Sequence, residues 1–194
     1  MSDNVKDVKK KLRNQYKQYR LSLPVDTKAD FDNRICETLM NMVSFRYSET
    51  ILMYAPLEGE IDVMPIAERA LSLGKRVAFP RCVEDPRNLD FKYISSLEEL
   101  KSGSYSIAEP PEELESVKDF SKSVCIIPGV VFDKEGFRVG YGKGYYDRFL
   151  SAYDGTKFGL AYDECIINEV PRGRFDRHVD ILISEKGAKI AKTR

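Results

Sequence analysis

The chain is short of the residues from which many catalytic centres are built. It has one histidine, His178, in 194 residues. That argues against a histidine-rich metal site and leaves a Ser-His-Asp triad no choice of base, so His178 reads as structural. The four cysteines, Cys36, Cys82, Cys125 and Cys165, are widely spaced and form no C-x-x-C pair. Cys36 and Cys125 sit in apolar patterns, which fits buried thiols in a reducing cytoplasm. Net charge is missing as well: 31 Lys and Arg balance 31 Asp and Glu. No global field recruits nucleic acid or an anionic membrane, so any anion site must be local. No apolar run approaches a membrane span. Met1 to Lys11 is polar and charged, unlike a secretory leader. No repeat or low-complexity linker divides the chain. The expectation is one cytoplasmic domain over residues 1–194, monomeric, with no nucleic-acid or membrane partner.

What is present is an alternation of helices and strands. Val5, Val8, Leu12, Tyr16 and Tyr19 recur at helical spacing and predict a helix over 4–22, ended by Leu23-Pro24. A second helix follows Asp26, with Phe31, Ile35, Leu39 and Met42-Val43 on one face. Thr50 to Ala55 reads as a buried strand. Asp62 caps a helix over 63–73, stopped by Gly74. Strands are expected over Arg76–Pro80, Asp90–Ile94, Val124–Pro128, 157–161 and Asp180–Ser184, with a helix over 144–152. Residues 95–120 are irregular, with a short helix near 95–100 and an acidic, proline-broken surface loop at 109–113. The predicted class is therefore α/β: a mostly parallel sheet with helices on both faces. Ligands of such sheets bind outside the carboxyl ends of strands.

Two loops leave such ends. The first runs from Gly129 to Arg148 and holds Arg138, Gly140, Gly142, Lys143, Gly144 and Asp147. The glycines allow positive φ and close approach of backbone to a ligand, and successive N–H groups make a nest for an anion. A helix starting near Gly144 adds its positive end. Arg138 and Lys143 add full charges, and Asp147 offers a hard oxygen for Mg²⁺. The loop is neither Walker A nor G-x-G-x-x-G. It fits a glycine-rich turn with solvated charges, or a nucleotide-phosphate site. The second loop, Met53 to Asp62, carries Glu58, Glu60 and Asp62. It fits charge at a helix start, or a carboxylate that would accept two bonds from the amide N–H and amino group of a pterin. Lys9 and Arg13, four apart, share a helix face that is either solvated or phosphate-binding.

The string Gly129-Val130-Val131-Phe132-Asp133-Lys134-Glu135-Gly136-Phe137-Arg138-Val139-Gly140-Tyr141-Gly142-Lys143-Gly144-Tyr145-Tyr146-Asp147-Arg148 resembles the signature of the 5-formyltetrahydrofolate cyclo-ligases, and the resemblance extends over most of the chain. It implies an ATP-dependent closure of 5-formyltetrahydrofolate to 5,10-methenyltetrahydrofolate, with ADP and phosphate released. Lys9-Lys10-Lys11-Leu12-Arg13 matches the family's Lys-x-x-x-Arg helix, so the resemblance assigns these residues to ATP. It assigns Arg138, Val139, Gly140, Tyr141, Gly142, Lys143, Gly144, Tyr145 and Tyr146 to ATP as well. Glu60 falls at the substrate-binding glutamate and Ala55 at a substrate contact, where the family often has a larger residue. Asp147 and Asp176 fall near the metal, which makes them the expected Mg²⁺ carboxylates. No protein nucleophile is implied. Arg81 and Arg148 fit a folate tail or structural ion pairs. Two other functions compete: a nucleotide- or phosphate-binding module without folate chemistry, and a sugar-phosphate enzyme of similar architecture.

Overall fold

The computed structural model describes residues 4–84, 87–103 and 107–192. Met1–Asp3 and the Ser104–Ser106 part of the irregular stretch lie outside them. In chain order the elements are α1 (Val5–Leu21), α2 (Val25–Asn41), α3 (Val43–Tyr47), β1 (Thr50–Leu52), α4 (Met64–Ser72), β2 (Arg76–Val83) and β3 (Asn88–Ile94). There follow β4 (Lys101–Ser102), β5 (Ala108–Glu109), β6 (Ser123–Ile127), β7 (Val131–Asp133), β8 (Arg138–Val139) and α5 (Tyr145–Leu150). The last are β9 (Thr156–Leu160), β10 (Ile166–Ile167), β11 (Ile181–Ser184) and β12 (Gly187–Ile190).

The central sheet has seven strands in the order β12-β11-β9-β6-β1-β2-β3. The run β11-β9-β6-β1-β2 is parallel throughout, and β3 and β12 close the two edges antiparallel. Strand β6 lies inside this sheet and is buried along its whole length. Its Val124, Ile126 and Ile127 are the kind of continuous apolar run that a strand covered on both faces requires. Each such side chain contributes about 1.5–3 kcal/mol of burial.

The connections fix where ligands can bind. The crossover β1–α4–β2 steps one way along the sheet, and β6–α5–β9 steps the other. Right-handed crossovers stepping in opposite directions place α4 on one face and α5 on the other. Helix α2 packs beside α4 and against β11, while Phe149 of α5 meets Phe91 of β3 at 4.8 Å. The order reverses between β1 and β6, and the two sequence-predicted loops leave the carboxyl ends of these two neighbours.

Several boundaries differ from expectation. Helix α2 stops before Met42, whose extended ψ of 139° breaks it, so Val43 begins the separate short helix α3 and is exposed. Strand pairing in β1 ends at Leu52, although Met53–Ala55 continue buried. Helix α4 begins at Met64 with Val63, not Asp62, at its N-cap position; Asp62 lies one residue earlier, and its Oδ1 accepts from the Met64 N–H at 3.0 Å. Helix α5 is only six residues long, so the aligned backbone dipole at Gly144 is short. All four cysteines are free. Cys36, Cys125 and Cys165 are buried and Cys82 half-buried, and desolvation pushes the Cys36 thiol up to about 12 and Cys82 to about 11.

Candidate active site

The switch point gathers side chains from α1, the β1 loop, the glycine-rich loop, α5 and the segment before β11. Helix α1 reaches it because Leu12 and Tyr16 pack against Val131, Val139 and Val170. That seam lays the helix's polar face beside the glycines. Arg13 Nε donates to the Gly140 carbonyl at 2.8 Å. Lys9 pairs with Asp176 Oδ2, which also accepts from the Gly173 N–H at 2.8 Å. Buried Arg138 donates from Nη2 to Asp147 Oδ1 at 3.0 Å and from Nη1 to the Arg177 carbonyl at 2.7 Å. The Arg177 N–H reaches Asp147 Oδ1 at 3.2 Å. Lys9, Arg13, Arg138, Asp147 and Asp176, scattered in sequence, thus form one array of alternating charge.

The glycines differ in what they do. Gly142 and Gly144 take φ of +88° and +78°, where a side chain would strain the backbone. Gly140, expected to do the same, does not, and its role is the carbonyl held by Arg13. Leu12 and Val139 spend their side chains on packing. Lys10, Lys11 and Lys143 lie on the surface. Tyr145 is buried in the core, whereas the Tyr146 hydroxyl is buried with no hydrogen-bond partner among the described residues. Asp133 holds the loop's base: its carboxylate accepts from the Glu135 and Phe137 N–H groups, each at 3.0 Å, and from Arg172 at 3.1 Å.

On the β1 side, Glu60 is 5% exposed. Its Oε2 accepts from the Leu57 N–H at 2.9 Å, and its Oε1 is buried with no partner among the described residues. Burial raises its pKa, opposed by the Leu57 N–H, the Arg20 charge, the Tyr141 phenol and Lys17. Glu60 and Arg20 line one tight crevice with Tyr54, Ile61, Gly129 and Leu160. The Tyr54 hydroxyl donates to the Ile61 carbonyl at 3.1 Å and pins the loop. Ala55 is buried at the same strand end. A buried carboxylate with one open oxygen suits a ligand that brings a pair of donors.

Comparison with known proteins decides the family. Residues 5–185 match the model of the 5-formyltetrahydrofolate cyclo-ligase family. The chain belongs to this family. The 5-formyltetrahydrofolate cyclo-ligase of Saccharomyces cerevisiae is 27% identical over 205 residues, covering 93% of this chain and 96% of the yeast protein. The Escherichia coli K12 cyclo-ligase is 29% identical over 167 residues, covering 82% and 91%. The solved 5,10-methenyltetrahydrofolate synthetase of Aquifex aeolicus superposes with a TM-score of 0.85 at 30% identity, over 96% of this chain and 94% of that one. That of Mycoplasma pneumoniae gives 0.74 at 25%, over 91% and 98%.

The sequence pointed to all five residues of the array but not to Arg20 or Arg177 beside it. Arg20 looked like one more cation on a basic helix, and nothing in the helical period marks it as 4% exposed. Arg177 contributes backbone groups, which no residue-type signal reveals. Arg81 lies 3.7 Å from Glu109 and 3.8 Å from Glu112, in an ion-pair cluster on β2. His178 faces the Val179 carbonyl and packs on Phe137. Among the described residues no helix is long and apolar enough to cross a membrane.

Proposed function

We propose that the cleft at the β1/β6 switch point binds Mg·ATP on the α1 and glycine-loop side and 5-formyltetrahydrofolate on the Glu60 side. There it closes the folate to 5,10-methenyltetrahydrofolate. The ATP γ-phosphoryl passes to the formyl oxygen, the bond to ADP breaks, and the oxygen becomes a good leaving group as an imidate phosphate. N10 attacks the activated carbon, phosphate departs with the C–O electron pair, and the N10 proton is lost as the ring closes. No protein nucleophile enters. Catalysis is placement and charge neutralisation.

The chain's residues divide this work. Lys9, Arg13 and Arg138 neutralise phosphate oxygens, and the N–H groups around Gly142 and Gly144 approach them without obstruction. Glu60 accepts from the pterin amide N–H and amino group. Among the described residues no cluster of three or more His, Cys, Asp or Glu could hold a metal alone. Two carboxylates at a phosphate site are nonetheless the donor set that Mg²⁺ shares with a nucleotide. Asp147 and Asp176 fit it: the bonds described above engage Oδ1 of Asp147 and Oδ2 of Asp176, and each carboxylate has a second oxygen to give. When bound there, Mg²⁺ would draw charge from the transferring phosphoryl group. Asp147→Asn should therefore lower turnover on the order of 10²-fold or more, as loss of several kcal/mol of charge stabilisation requires.

The observation that carries the proposal is the buried Glu60 Oε1, without a hydrogen-bond partner among the described residues, in a chain of this family that also presents a cationic glycine-rich loop. The test is separate calorimetric titration with 5-formyltetrahydrofolate and with Mg·ATP. Glu60→Gln should weaken folate at least about tenfold, because a donor then faces a donor, and leave ATP unchanged. Equal loss of both ligands would mean that Glu60 holds the cleft together and would remove the folate assignment.

A further inference from the structure

Arg20 is the least explained charge in the molecule. It is buried near the end of α1, its Nη2 donates to the Gly129 carbonyl, and its Nε finds no partner among the described residues. Gly129 opens the glycine-rich stretch directly after β6. On its other side, Arg20 supports the loop after β1. Gly59 takes φ +76°, and a Cβ there would stand 3.7 Å from Arg20 Cβ and 3.2 Å from Leu21 Cδ2. The next residue is Glu60, which lines the same crevice as Arg20. One side chain therefore bonds the root of the glycine-rich loop and lines the crevice at the root of the other.

We propose that Arg20 is a positioning residue that registers the substrate loop against the glycine-rich loop and keeps the Glu60 carboxylate ionised for its ligand. The inference rests on the assignment of Glu60 to folate. Geometry supplies the reason. A buried carboxylate has lost most of its hydration, and beyond the Leu57 N–H it is the guanidinium lining the same crevice that compensates the charge. Arg20 is the first-named of the charges that favour the ionised form. The other groups facing Glu60 are Lys17 on the same helix, Tyr141 in the glycine-rich loop, Tyr54 at the end of β1 and Tyr146 on α5. All three phenols are pushed upward by burial, so they stay neutral and cannot replace the cation. A guanidinium also serves two directions at once, which an ammonium cannot.

Two variants separate charge from bracing. Arg20→Gln keeps an amide donor for Gly129 but removes the charge, and Arg20→Lys keeps the charge but loses the fork. The first readout needs no substrate: the side-chain carboxyl ¹³C shift of Glu60, assigned by its disappearance in Glu60→Gln, titrated against pH. The midpoint should rise by about one unit or more in Arg20→Gln, the effect of removing a close opposite charge, and by less in Arg20→Lys. The second readout is the acid limb of kcat/KM for 5-formyltetrahydrofolate, which should move to higher pH by the same amount, while KM for ATP stays put. An unmoved Glu60 midpoint in Arg20→Gln, or an equal loss of both substrates at every pH, would overturn the proposal and make Arg20 a brace. A shifted midpoint with folate binding indifferent to Glu60→Gln would instead leave the coupling standing and remove folate from the crevice. The two assignments fail separately.

Discussion

At the scale of single residues, Glu60 is under tension between stability and binding. Its raised pKa already includes the attraction of Arg20, so the ionised carboxylate remains unfavourable in the folded chain relative to the unfolded one. The sign follows from linkage. The unfolded chain ionises first, so Glu60's contribution to stability falls as pH rises from the ordinary carboxyl value through the raised one. Glu60→Gln should thus melt at or above the wild type at neutral pH without ligand, and close to it near pH 4, where both side chains are neutral. Thermal melts at the two pH values check this. A lower melting temperature for the variant at neutral pH would show that the carboxylate stabilises the apo fold. Sequence could place Glu60 at a strand's carboxyl end, but not its burial or its unpaired oxygen. Those depend on Arg20, Gly129 and Leu160, which arrive from elsewhere in the chain.

At the scale of elements, α1 is the proposed ATP-binding element, mounted by packing. Leu12 and Tyr16 fasten it to β7 and β8, and the same rotation points Lys9, Arg13 and Arg20 inward. Lys9→Ala and Arg13→Ala should each weaken ATP by roughly 10- to 150-fold, the worth of a charged hydrogen bond. Folate should be affected less. Calorimetry on both variants gives the answer, and unchanged ATP affinity in both would make this a solvated face. The β7–β8 turn is the second mounting. Asp133 is fully buried and satisfied by three backbone N–H groups and Arg172. Asp133→Asn puts a donor among donors and should lower stability by about 1–3 kcal/mol, or about 2–4 °C of melting temperature per kcal/mol for a chain of this size. An unshifted melt would show that the turn holds without its carboxylate. The helical period of α1 was readable because it is long and amphipathic. The small sheet of β7, β8 and β10 was not, since strands of two or three residues carry no period and are defined by long-range pairing.

At the scale of the whole molecule, the alternation of apolar strands and amphipathic helices was enough to give the mostly parallel sheet, because a strand covered on both faces must be apolar throughout. The antiparallel edge β12 was invisible: Ala188, Lys189 and Ile190 are exposed, so burial left no mark on the sequence. The strand order was also not legible, and with it the fact that β1 and β6 are neighbours whose crossovers depart in opposite directions. That reversal brings the two loops to one cleft, where the proposed nucleotide phosphate and folate would meet. The most direct measurement is a mixing experiment: protein, Mg·ATP and 5-formyltetrahydrofolate, followed at the near-ultraviolet band of the methenyl product. The band should grow only when both substrates are present, with one ADP and one phosphate released for each methenyl group formed. ATP hydrolysis without the band, or binding of both ligands with no turnover, would contradict the chemistry assigned to the cleft.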